Sequence, residues 1–381
     1  MKLFFIIDNN EPHASGGGYY AIFKFAEFLA RRGHAVMVYA VHDLGWVRPS
    51  PTLRVFYRPS LPRGKRVSRK LDKALEALCD RFLLPRLARQ FGAEWVFGVL
   101  KESAIKAVGL ARHLQRPVAN FIYECPPWLR EIYGEAAYRA AADQGYTRQL
   151  WEHTRQAYLA SDLLLPNSEL SRQYNQRWLD GKPVAPPAFP GVDLEQMPFD
   201  GPAHRGQGRQ VLFVGRLVPE KNVQLLLEAW RRLPQDVVLH IAGSGPLLGW
   251  LKEQARSLQN VVVHGYVEDE RLWALFRGAE LLVCPSQFEG FGMPPMQALY
   301  FEKACLVADL PIFRSIYADH ADYFPPGDAE ALAAGVQRLL ADPAYCRQKG
   351  QAGRQHVLQH FTWQAAAQGI EARLVEAGAG R

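Results

Sequence analysis

The feature that most constrains the fold is a rhythm of short apolar runs separated by longer amphipathic stretches. In the first half of the chain the runs lie at 3–7, 36–41, 53–57, 95–99, 118–123 and 163–166. The second half repeats the rhythm at 211–214, 237–241, 261–264, 281–284 and 304–307. Runs of this length predict buried strands, and most of the stretches between them have a helical period. The pattern is typical of an α/β protein with parallel sheets and crossover helices.

A segment rich in proline and glycine separates the two series. Residues 181–191 contain four prolines and two glycines, which suit a linker rather than a helix or strand. A chain of 381 residues is also too long for one ordinary domain. We therefore predict Rossmann-like, doubly wound domains at 1–195 and 196–360, and a C-terminal helix at 361–381 that packs back on the first domain. Ligands of such sheets bind beyond the carboxyl ends of the strands, which predicts a site in the cleft between the domains.

The composition excludes several classes of protein. Hydrophobic residues make up 48% and charged residues 22% of the chain, which argues against a disordered, collagen-like or coiled-coil protein. No apolar run approaches the ~18 residues that cross a bilayer. The five cysteines are scattered and include no Cys-x-x-Cys pair, so neither a disulfide framework nor a zinc site is indicated. These features predict a cytoplasmic protein.

Most of the net positive charge lies in one segment. The net charge is +7, and residues 63–89 carry nine basic and three acidic residues. On a helical wheel one apolar stripe is formed by Leu71, Leu75, Leu78 and Phe82. Basic residues lie opposite and on one flank of this stripe, and Pro85 is expected to end the helix. The helix suits either an anionic partner or packing on its own sheet with a charged outer face.

The loop after the first strand of the second half combines several features of an anion site. Gly215 turns the chain, Arg216 and Lys221 supply two cations, and a helix is predicted to begin directly after Asn222. Free N–H groups and the positive end of the helix dipole favour an anion at such a position. The ordinary alternative is a pair of solvated charges on a loop, but it does not explain why these features coincide.

The next three strands of the second half also end in polar, glycine-rich loops. The second and third loops read 243–245 (Gly-Ser-Gly) and 265–267 (Gly-Tyr-Val), and the glycines of the second loop would let the backbone approach a phosphate. The fourth carries Glu289, a lone acid before a helix whose first turn tolerates Pro294. A carboxylate at this point is often only a helix cap. Four such loops at one edge of a sheet nevertheless predict a single ligand site.

Together these loops resemble the retaining, nucleotide-sugar-dependent glycosyltransferases of GT-B fold, specifically glycosyltransferase family 4 (glycosyl transferases group 1). The similarity is clearest over 211–328 and continues more loosely at 16–18, 166–168 and 191–193. It implies transfer of a hexosyl or related sugar from a nucleoside-diphosphate sugar to a glycan, lipid-linked or small-molecule acceptor, as in polysaccharide biosynthesis. It also implies retention of the anomeric configuration and no cofactor besides the nucleotide-sugar co-substrate.

The resemblance also implies roles for individual residues. Arg216 and Lys221 would bind the donor diphosphate, and Glu289 would contact the hydroxyls of the donor sugar. The other implied donor-binding positions are Gly16, Gly17, Gly18, Gly215, Gly243, Ser244, Gly245, Gly265, Tyr266, Val267, Gly290, Phe291, Gly292 and Gln297. Among these, 265–267 would line the base pocket and the amides of 290–292 would hold the sugar. No metal ion is expected, because the chain has no Asp-x-Asp motif and the acids at 268–270 lie at a predicted helix start, where they cap.

Three positions depart from the family pattern. Gln297 stands where the family commonly has a glutamate that binds ribose, so a weaker hold on the donor is expected. Pro190 replaces an asparagine of the linker motif. Tyr123 and Glu124 stand where a histidine is often found, which leaves open what touches that edge of the donor sugar.

Two other classes of function remain as alternatives. Residues 16–21 formally fit the Gly-x-Gly-x-x-Ala fingerprint of a dinucleotide-dependent oxidoreductase, although residues 9–15 separate them from the preceding strand. The basic segment 63–89 suits a non-enzyme that binds nucleic acid or a membrane. We expect an anionic membrane surface as its partner, with peripheral binding at the inner face of the cell membrane, and no nucleic acid.

Overall fold

The computed structural model describes residues 1–7, 17–41, 49–60, 66–134, 138 and 145–379. The chain divides into two compact units. The first unit is Met1–Phe189 with Trp363–Arg381, and the second is Pro190–Thr362. The units divide between Phe189 and Pro190, about five residues before the predicted domain boundary near residue 195.

Each unit is built on a sheet of six parallel strands. The strands of the first sheet are β1 (Lys2–Ile7), β2 (Ala35–Ala40), β3 (Leu53–Tyr57), β4 (Trp95–Val99), β5 (Val118–Ile122) and β6 (Leu163–Pro166). The strands of the second are β7 (Arg209–Val214), β8 (Val237–Ala242), β9 (Val261–Gly265), β10 (Leu281–Cys284), β11 (Ala304–Ala308) and β12 (Asp322–Phe324). Their spatial orders are β3-β2-β1-β4-β5-β6 and β12-β11-β10-β7-β8-β9.

Helices connect the strands in both units. The helices of the first unit are α1 (Gly17–Arg31), α2 (Arg66–Leu78), α3 (Leu84–Phe91), α4 (Leu100–Leu114), α5 (Pro126–Tyr133), α6 (Gly145–Leu159), α7 (Glu169–Trp178) and α15 (Trp363–Ala379). Those of the second are α8 (Val223–Trp230), α9 (Leu248–Ala255), α10 (Asp269–Gly278), α11 (Met293–Tyr300), α12 (Pro311–Tyr317), α13 (Ala329–Ala341) and α14 (Pro343–His360). Counted from its own first strand, each sheet has the 3-2-1-4-5-6 order of the Rossmann fold. The predicted α/β class with two doubly wound, Rossmann-like domains is confirmed.

All eleven apolar runs are strands, with ends that differ from the prediction by two residues at most. Strands such as β4, β5, β10 and β11 are buried along their whole length, as expected for parallel sheets covered on both faces. The strand that the sequence analysis missed is β12. It has three residues, of which only Phe324 is buried, so it contains no apolar run to detect.

The proline-rich segment 181–191 forms no helix or strand, as predicted. Its first part follows β6, because the N–H groups of Ala185 and Ala188 donate to the carbonyls of Leu164 and Pro166 at 3.1 and 2.7 Å. These hydrogen bonds hold the segment against the first unit as far as Ala188.

From Pro190 onward the chain is held by the second unit instead. Val192 forms a parallel β-bridge with Thr362. The Asp193 carboxylate accepts hydrogen bonds from the N–H groups of Glu195 and Gln196, both at 3.2 Å. The β-bridge and the division of the chain at Pro190 place residues 190–195 with the second unit.

The C-terminal helix α15 packs on α1 of the first unit. Trp363 is fully buried and meets Phe25 edge to face, with ring centroids 5.2 Å apart. Arg32 Nε also donates to the Glu371 carboxylate at 2.6 Å. Aromatic burial of this kind contributes more than the exposed ion pair.

The basic segment forms a longer helical path than predicted. A π-helical turn (Cys79–Leu83) follows α2, and α3 continues from it, so the prediction that Pro85 ends the helix is wrong. In the π turn the N–H of Leu84 donates to the carbonyl of Cys79. Pro85 then lies in the first turn of α3, directly after the π turn, and the helical path continues past it. In the part of the chain that the structure describes, no helix is long and apolar enough to span a bilayer.

Candidate active site

The three predicted catalytic residues lie at the point where the strand order of the second sheet reverses. β7 and β10 are neighbours there, with Leu281 paired to Val211. Arg216 and Lys221 follow β7, and Glu289 follows β10. Adjacent strands at this point lead to connections that diverge, which leaves a crevice beyond their carboxyl ends where ligands bind in open α/β sheets.

Lys221 and Glu289 form an ion pair that joins the two loops. Lys221 Nζ makes a short contact with Glu289 Oε1, and Ser286 Oγ donates to the same oxygen at 2.9 Å. The Glu289 residue is 8% exposed and the Lys221 side chain 19%. Two donors on one oxygen hold the carboxylate in a single position and leave Oε2 with no partner among the described residues.

A backbone contact supports this ion pair. The N–H of Gln287 donates to the carbonyl of Glu220 at 2.9 Å, which fixes the loop after β10 against the loop after β7. Arg216, by contrast, is exposed and forms no ion pair with any residue that the structure describes. The site therefore has one cation that is paired with Glu289 and a second, Arg216, with no ion-pair partner among the described residues.

The loop after β7 differs from the prediction in one respect. A 3₁₀ turn (Pro219–Lys221) precedes α8, and Asn222 has a left-handed backbone with φ of 50°. The N–H groups of Lys221 and Asn222 already donate to the carbonyls of Val218 and Pro219. The predicted contribution of free N–H groups is wrong for these two residues, because the 3₁₀ turn consumes them.

The glycines at 243 and 245 are required by contact between loops. A Cβ on Gly243 would lie 1.8 Å from the carbonyl oxygen of Gly215, and one on Gly245 would lie 2.6 Å from that of Leu217. Both residues have positive φ, 152° and 155°. The loops after β7 and β8 therefore pack backbone to backbone, a closer approach than any side chain allows. This packing explains the two glycines without a ligand.

Hydrogen bonds in these loops decide which amides can still meet a ligand. The N–H of Gly243 donates to the carbonyl of Gly265 at 2.7 Å. The carbonyl of Ser244 accepts from the N–H of Leu217 at 2.8 Å. Within the described parts of the chain, the N–H groups of Ser244 and Gly245 have no such partner. The predicted phosphate contact from 243–245 is therefore restricted to its last two amides.

The loop after β9 presents an aromatic ring to solvent. Gly265 has a φ of 75°, Tyr266 is 70% exposed and Val267 is buried. An exposed ring beside a buried apolar side chain suits stacking against a flat base. The acids that follow lie at the start of α10 as predicted, but Glu268, at the N-cap position, makes no capping hydrogen bond with its side chain. The prediction that Glu268 caps the helix is therefore wrong. Asp269 and Glu270 lie in the first turn, where negative charge interacts favourably with the helix dipole.

The loop from Gly290 to Gly292 is held in place by two aromatic side chains of α12. A Cβ on Gly292 would lie 2.4 Å from the ring of Phe313, and the hydroxyl of Tyr317 donates to the Gly292 carbonyl in a short hydrogen bond. Phe291 is buried with its ring edge to face against Phe361, 5.8 Å between centroids. Phe291 can therefore offer a ligand only its backbone. The next helix, α11, has a proline in its first turn, as predicted.

Gln297 lies in the second turn of α11 and is half-buried. Its side chain makes no hydrogen bond with the described residues, whereas the Glu289 carboxylate is held by two donors. The two positions that the family pattern pairs therefore differ in charge, and only Glu289 has its side chain fixed by hydrogen bonds from the described residues.

The predicted glycine loop of the first unit is described only in part. Gly16 lies outside the described residues, Gly17 is the first residue of α1, and Gly18 lies against Tyr123, with a Cβ position 3.1 Å from the ring. Ser171 Oγ and Asn175 Nδ2 both donate to the Tyr123 carbonyl, at 2.6 and 2.9 Å. The start of α1 therefore rests on the segment that stands in place of the family's histidine.

Two supporting residues were missed by the sequence analysis. Ser286 lies three residues before Glu289 in the same loop, and a hydroxyl at that spacing from a lone acid was a usable signal. Tyr317 lies 25 residues after the glycine whose carbonyl it binds, and no local pattern indicates such a contact. In the described ranges no group of three or more His, Cys, Asp and Glu side chains could hold a metal ion.

Comparison with known proteins finds a family match within the second unit. Residues 199–356 match the model of the family described as glycosyl transferases group 1. This part of the chain therefore resembles that family. The match covers all the predicted site residues of the second unit, and it confirms the resemblance inferred from their loops.

Individual proteins agree with this result. Over 185 residues the chain is 31% identical to a glycogen synthase of Mycobacterium tuberculosis, covering 46% of this chain and 45% of that protein. The chain thus spans less than half the length of this relative. Among solved structures, sucrose-phosphate synthase from Thermosynechococcus elongatus has a TM-score of 0.78 at 21% identity, covering all of both chains. HepE from Anabaena, in complex with UDP-glucose, has a TM-score of 0.72 at 16% identity, covering 99% of this chain and 100% of that one. The fold of this protein is GT-B.

Proposed function

We propose that this protein is a glycosyltransferase that moves a sugar from a nucleoside-diphosphate sugar to a glycan, lipid-linked or small-molecule acceptor. The observation that carries the proposal is the Lys221–Glu289 pair at the strand reversal of a sheet in this family. It puts a cation for a diphosphate and a carboxylate for sugar hydroxyls side by side. A structural neighbour that binds UDP-glucose supports the class of donor.

The diphosphate would lie beside the loops after β7 and β8. Arg216 reaches it from the exposed edge, Lys221 from within, and the amides of Ser244 and Gly245 donate to its oxygens. As the bond between sugar and phosphate breaks, negative charge grows on the leaving diphosphate. Cations and amides aimed at that charge bind the transition state more tightly than the ground state, which raises kcat.

Glu289 would contact the hydroxyls of the donor sugar, whose ring gains positive charge in the transition state. Ser286 and Lys221 hold the carboxylate in place before the donor arrives. Retention of configuration fits an acceptor that enters on the face from which the diphosphate leaves, so no protein nucleophile or general base is assigned. We also propose that the enzyme is of glycosyltransferase family 4 and transfers a hexosyl or related sugar.

A screen of donor hydrolysis over a panel of nucleotide-sugars tests this proposal. Release of nucleoside diphosphate from at least one donor is expected, at a strongly lowered rate in the Lys221→Ala variant. Including NAD and NADP in a parallel binding titration addresses the oxidoreductase alternative. Binding of a dinucleotide together with inertness toward every donor would contradict the proposal.

Gln297→Ala should raise the donor KM and leave kcat nearly unchanged, since ribose contacts hardly change during the reaction. One lost neutral hydrogen bond of about 0.5–1.5 kcal/mol corresponds to a roughly 2–13-fold change in KM. Gln297→Glu should lower KM by a modest factor, because a carboxylate accepts stronger hydrogen bonds from a diol. Steady-state kinetics of the two variants provide the measurement. A fall in kcat of Gln297→Ala with constant KM would assign this residue to the reacting sugar instead.

Transfer should continue after removal of divalent metal ions. The site offers the diphosphate Arg216, Lys221 and backbone amides, and among the described residues no carboxylate pair is placed to hold magnesium against it. Initial rates after dialysis against EDTA should equal those with added magnesium or manganese. Loss of activity that either ion restores would show that the diphosphate is neutralised by a metal.

A further inference from the structure

The helical path from α2 to α3 is oriented differently from the expectation that it packs on its own sheet. If it packed on its own sheet, its apolar stripe would be buried and its charges would face solvent. Leu71 and Leu78 are each 56% exposed and Phe82 is 62% exposed. Of the four residues in the stripe only Leu75 is half-buried. We call the three exposed residues, Leu71, Leu78 and Phe82, the apolar ridge.

The acidic residues of the same helix face the protein. Asp72 and Glu76 lie 3.8 and 3.5 Å from the guanidinium of Arg58, which is buried. Lys106 of α4 contacts Glu76 at 2.5 Å and Asp80 at 2.9 Å. These ion pairs hold the acidic face of the helix against the protein. They turn the three negative charges of the segment away from the ridge and neutralise them against two cations.

Positive charge borders the ridge instead. Arg81 lies one turn after Leu78, and its guanidinium is 5.4 Å from the centroid of the Phe82 ring. Arg86 lies one turn after Phe82, and both arginines are exposed. Residues three and four apart share a helix face, so apolar and basic side chains are presented together while the acids are not. This surface is complementary to a partner with negative charge at its surface and an apolar interior directly below it.

We propose that this surface docks on an anionic lipid membrane. The apolar ridge inserts among the acyl chains next to the headgroups, and Arg81 and Arg86 bind the lipid phosphates, as in interfacial amphipathic helices. The charge arrangement favours a lipid surface over a nucleic acid, because a nucleic acid offers no apolar layer for three exposed side chains of this size. Docking in this way would bring a transferase to acceptors that are themselves in the membrane.

Flotation of the full chain with lipid vesicles tests the proposal without any donor or acceptor. Binding is expected to vesicles of phosphatidylcholine with phosphatidylglycerol, and not to phosphatidylcholine alone. Raising the salt from about 0.1 M to about 1 M shortens the Debye length from about 10 Å to about 3 Å and should weaken this binding. Because no sugar transfer is measured, failure of this proposal is distinguishable from failure of the proposed function.

Two multiple variants separate the apolar and the electrostatic parts. Leu71→Ser with Leu78→Ser and Phe82→Ser should weaken vesicle binding at least tenfold. Arg81→Glu with Arg86→Glu should weaken it by about 25-fold or more, at roughly fivefold for each lost cation. All five side chains are exposed, so unchanged circular dichroism and Tm are expected. Lys252→Glu with Arg256→Glu in the second unit makes the same change of net charge at exposed positions and should bind as the native chain does.

The outcomes that would overturn the proposal are distinct. The proposal would be contradicted if the chain bound neither kind of vesicle. It would also be contradicted if the Lys252 and Arg256 control lost as much binding as the Arg81 and Arg86 variant. Self-association of the native chain in sedimentation, abolished by the three serine substitutions and unaffected by vesicles, would show that the ridge binds a second copy of the chain. Salt-sensitive binding of an oligonucleotide that exceeds vesicle binding would identify a nucleic-acid surface.

Discussion

Lys221→Ala is expected to lower the rate of sugar transfer by roughly 10–150-fold. A hydrogen bond to a charged group contributes about 1.5–3 kcal/mol, and each 1.36 kcal/mol of transition-state stabilisation is a factor of ten in rate. The affinity for the free nucleoside diphosphate should fall as well. Initial rates with the donor found in the hydrolysis screen, and calorimetric titration with the diphosphate, provide the measurements.

The structure adds a complication that the control must address. Lys221 is also the ion-pair partner of Glu289, so removing it leaves a nearly buried carboxylate with only Ser286 as a donor and should destabilise the second unit. Lys303 offers a matched control, since it donates to the carbonyl of Arg277 at 2.8 Å and lies directly before β11, at the opposite end of the strands from the site. Lys303→Ala should lower Tm without changing kcat. If Lys221→Ala and Lys303→Ala lowered kcat by the same factor, Lys221 would contribute to stability and not to the reaction.

Glu289→Ala is expected to lower kcat at least tenfold while the donor KM changes little. The carboxylate contacts the sugar, which gains positive charge as the bond to phosphate breaks, so its contact strengthens in the transition state. Glu289→Gln should keep the shape and some of the hydrogen bonding but lose the charge, and its kcat should fall between those of the native chain and the alanine variant. Steady-state kinetics separate kcat from KM for both variants.

Two further variants make this result specific. Ser286→Ala removes the neutral donor that positions Glu289 and should cost only about 2–13-fold in kcat, for a hydrogen bond of roughly 0.5–1.5 kcal/mol. Glu302→Ala removes an acid that lies 3.6 Å from Arg354 in the same unit and should leave kcat unchanged. A native kcat in Glu289→Ala would remove this residue from the reacting centre, whatever the other variants show.

The strands and the general position of the site could be predicted because both are local properties of the sequence. A buried parallel strand is a short apolar run, and eleven such runs were present. The loops that follow β7 and β10 carry their glycines, cations and acid within a few residues of a strand end. Once the strands are parallel, their carboxyl ends meet at one edge, so residues 216, 221 and 289 are brought together by topology.

The contact between Lys221 and Glu289 could not be predicted in the same way, because 68 residues separate the two. The motif assigned one to the phosphate and the other to the sugar, and nothing in their separate loops indicates that they pair. The same holds for Gly243 and Gly245, whose pattern suggested a phosphate. Their conformation is required by the backbone of Gly215 and Leu217, which belongs to the preceding loop of the sheet.

The helix after β3 shows most clearly why sequence periodicity is not enough. The apolar stripe and the charges of α2 are visible on a helical wheel, which also shows that the stripe and the acids lie on different faces. The wheel cannot say which face meets the protein. That choice depends on Arg58 and Lys106, which come from β3's end and from α4 and hold Asp72, Glu76 and Asp80. Three acids are held by two cations on the protein side of the helix, while the apolar ridge stays more than half exposed. Local pattern specified the helix, and long-range charge pairing selected its orientation.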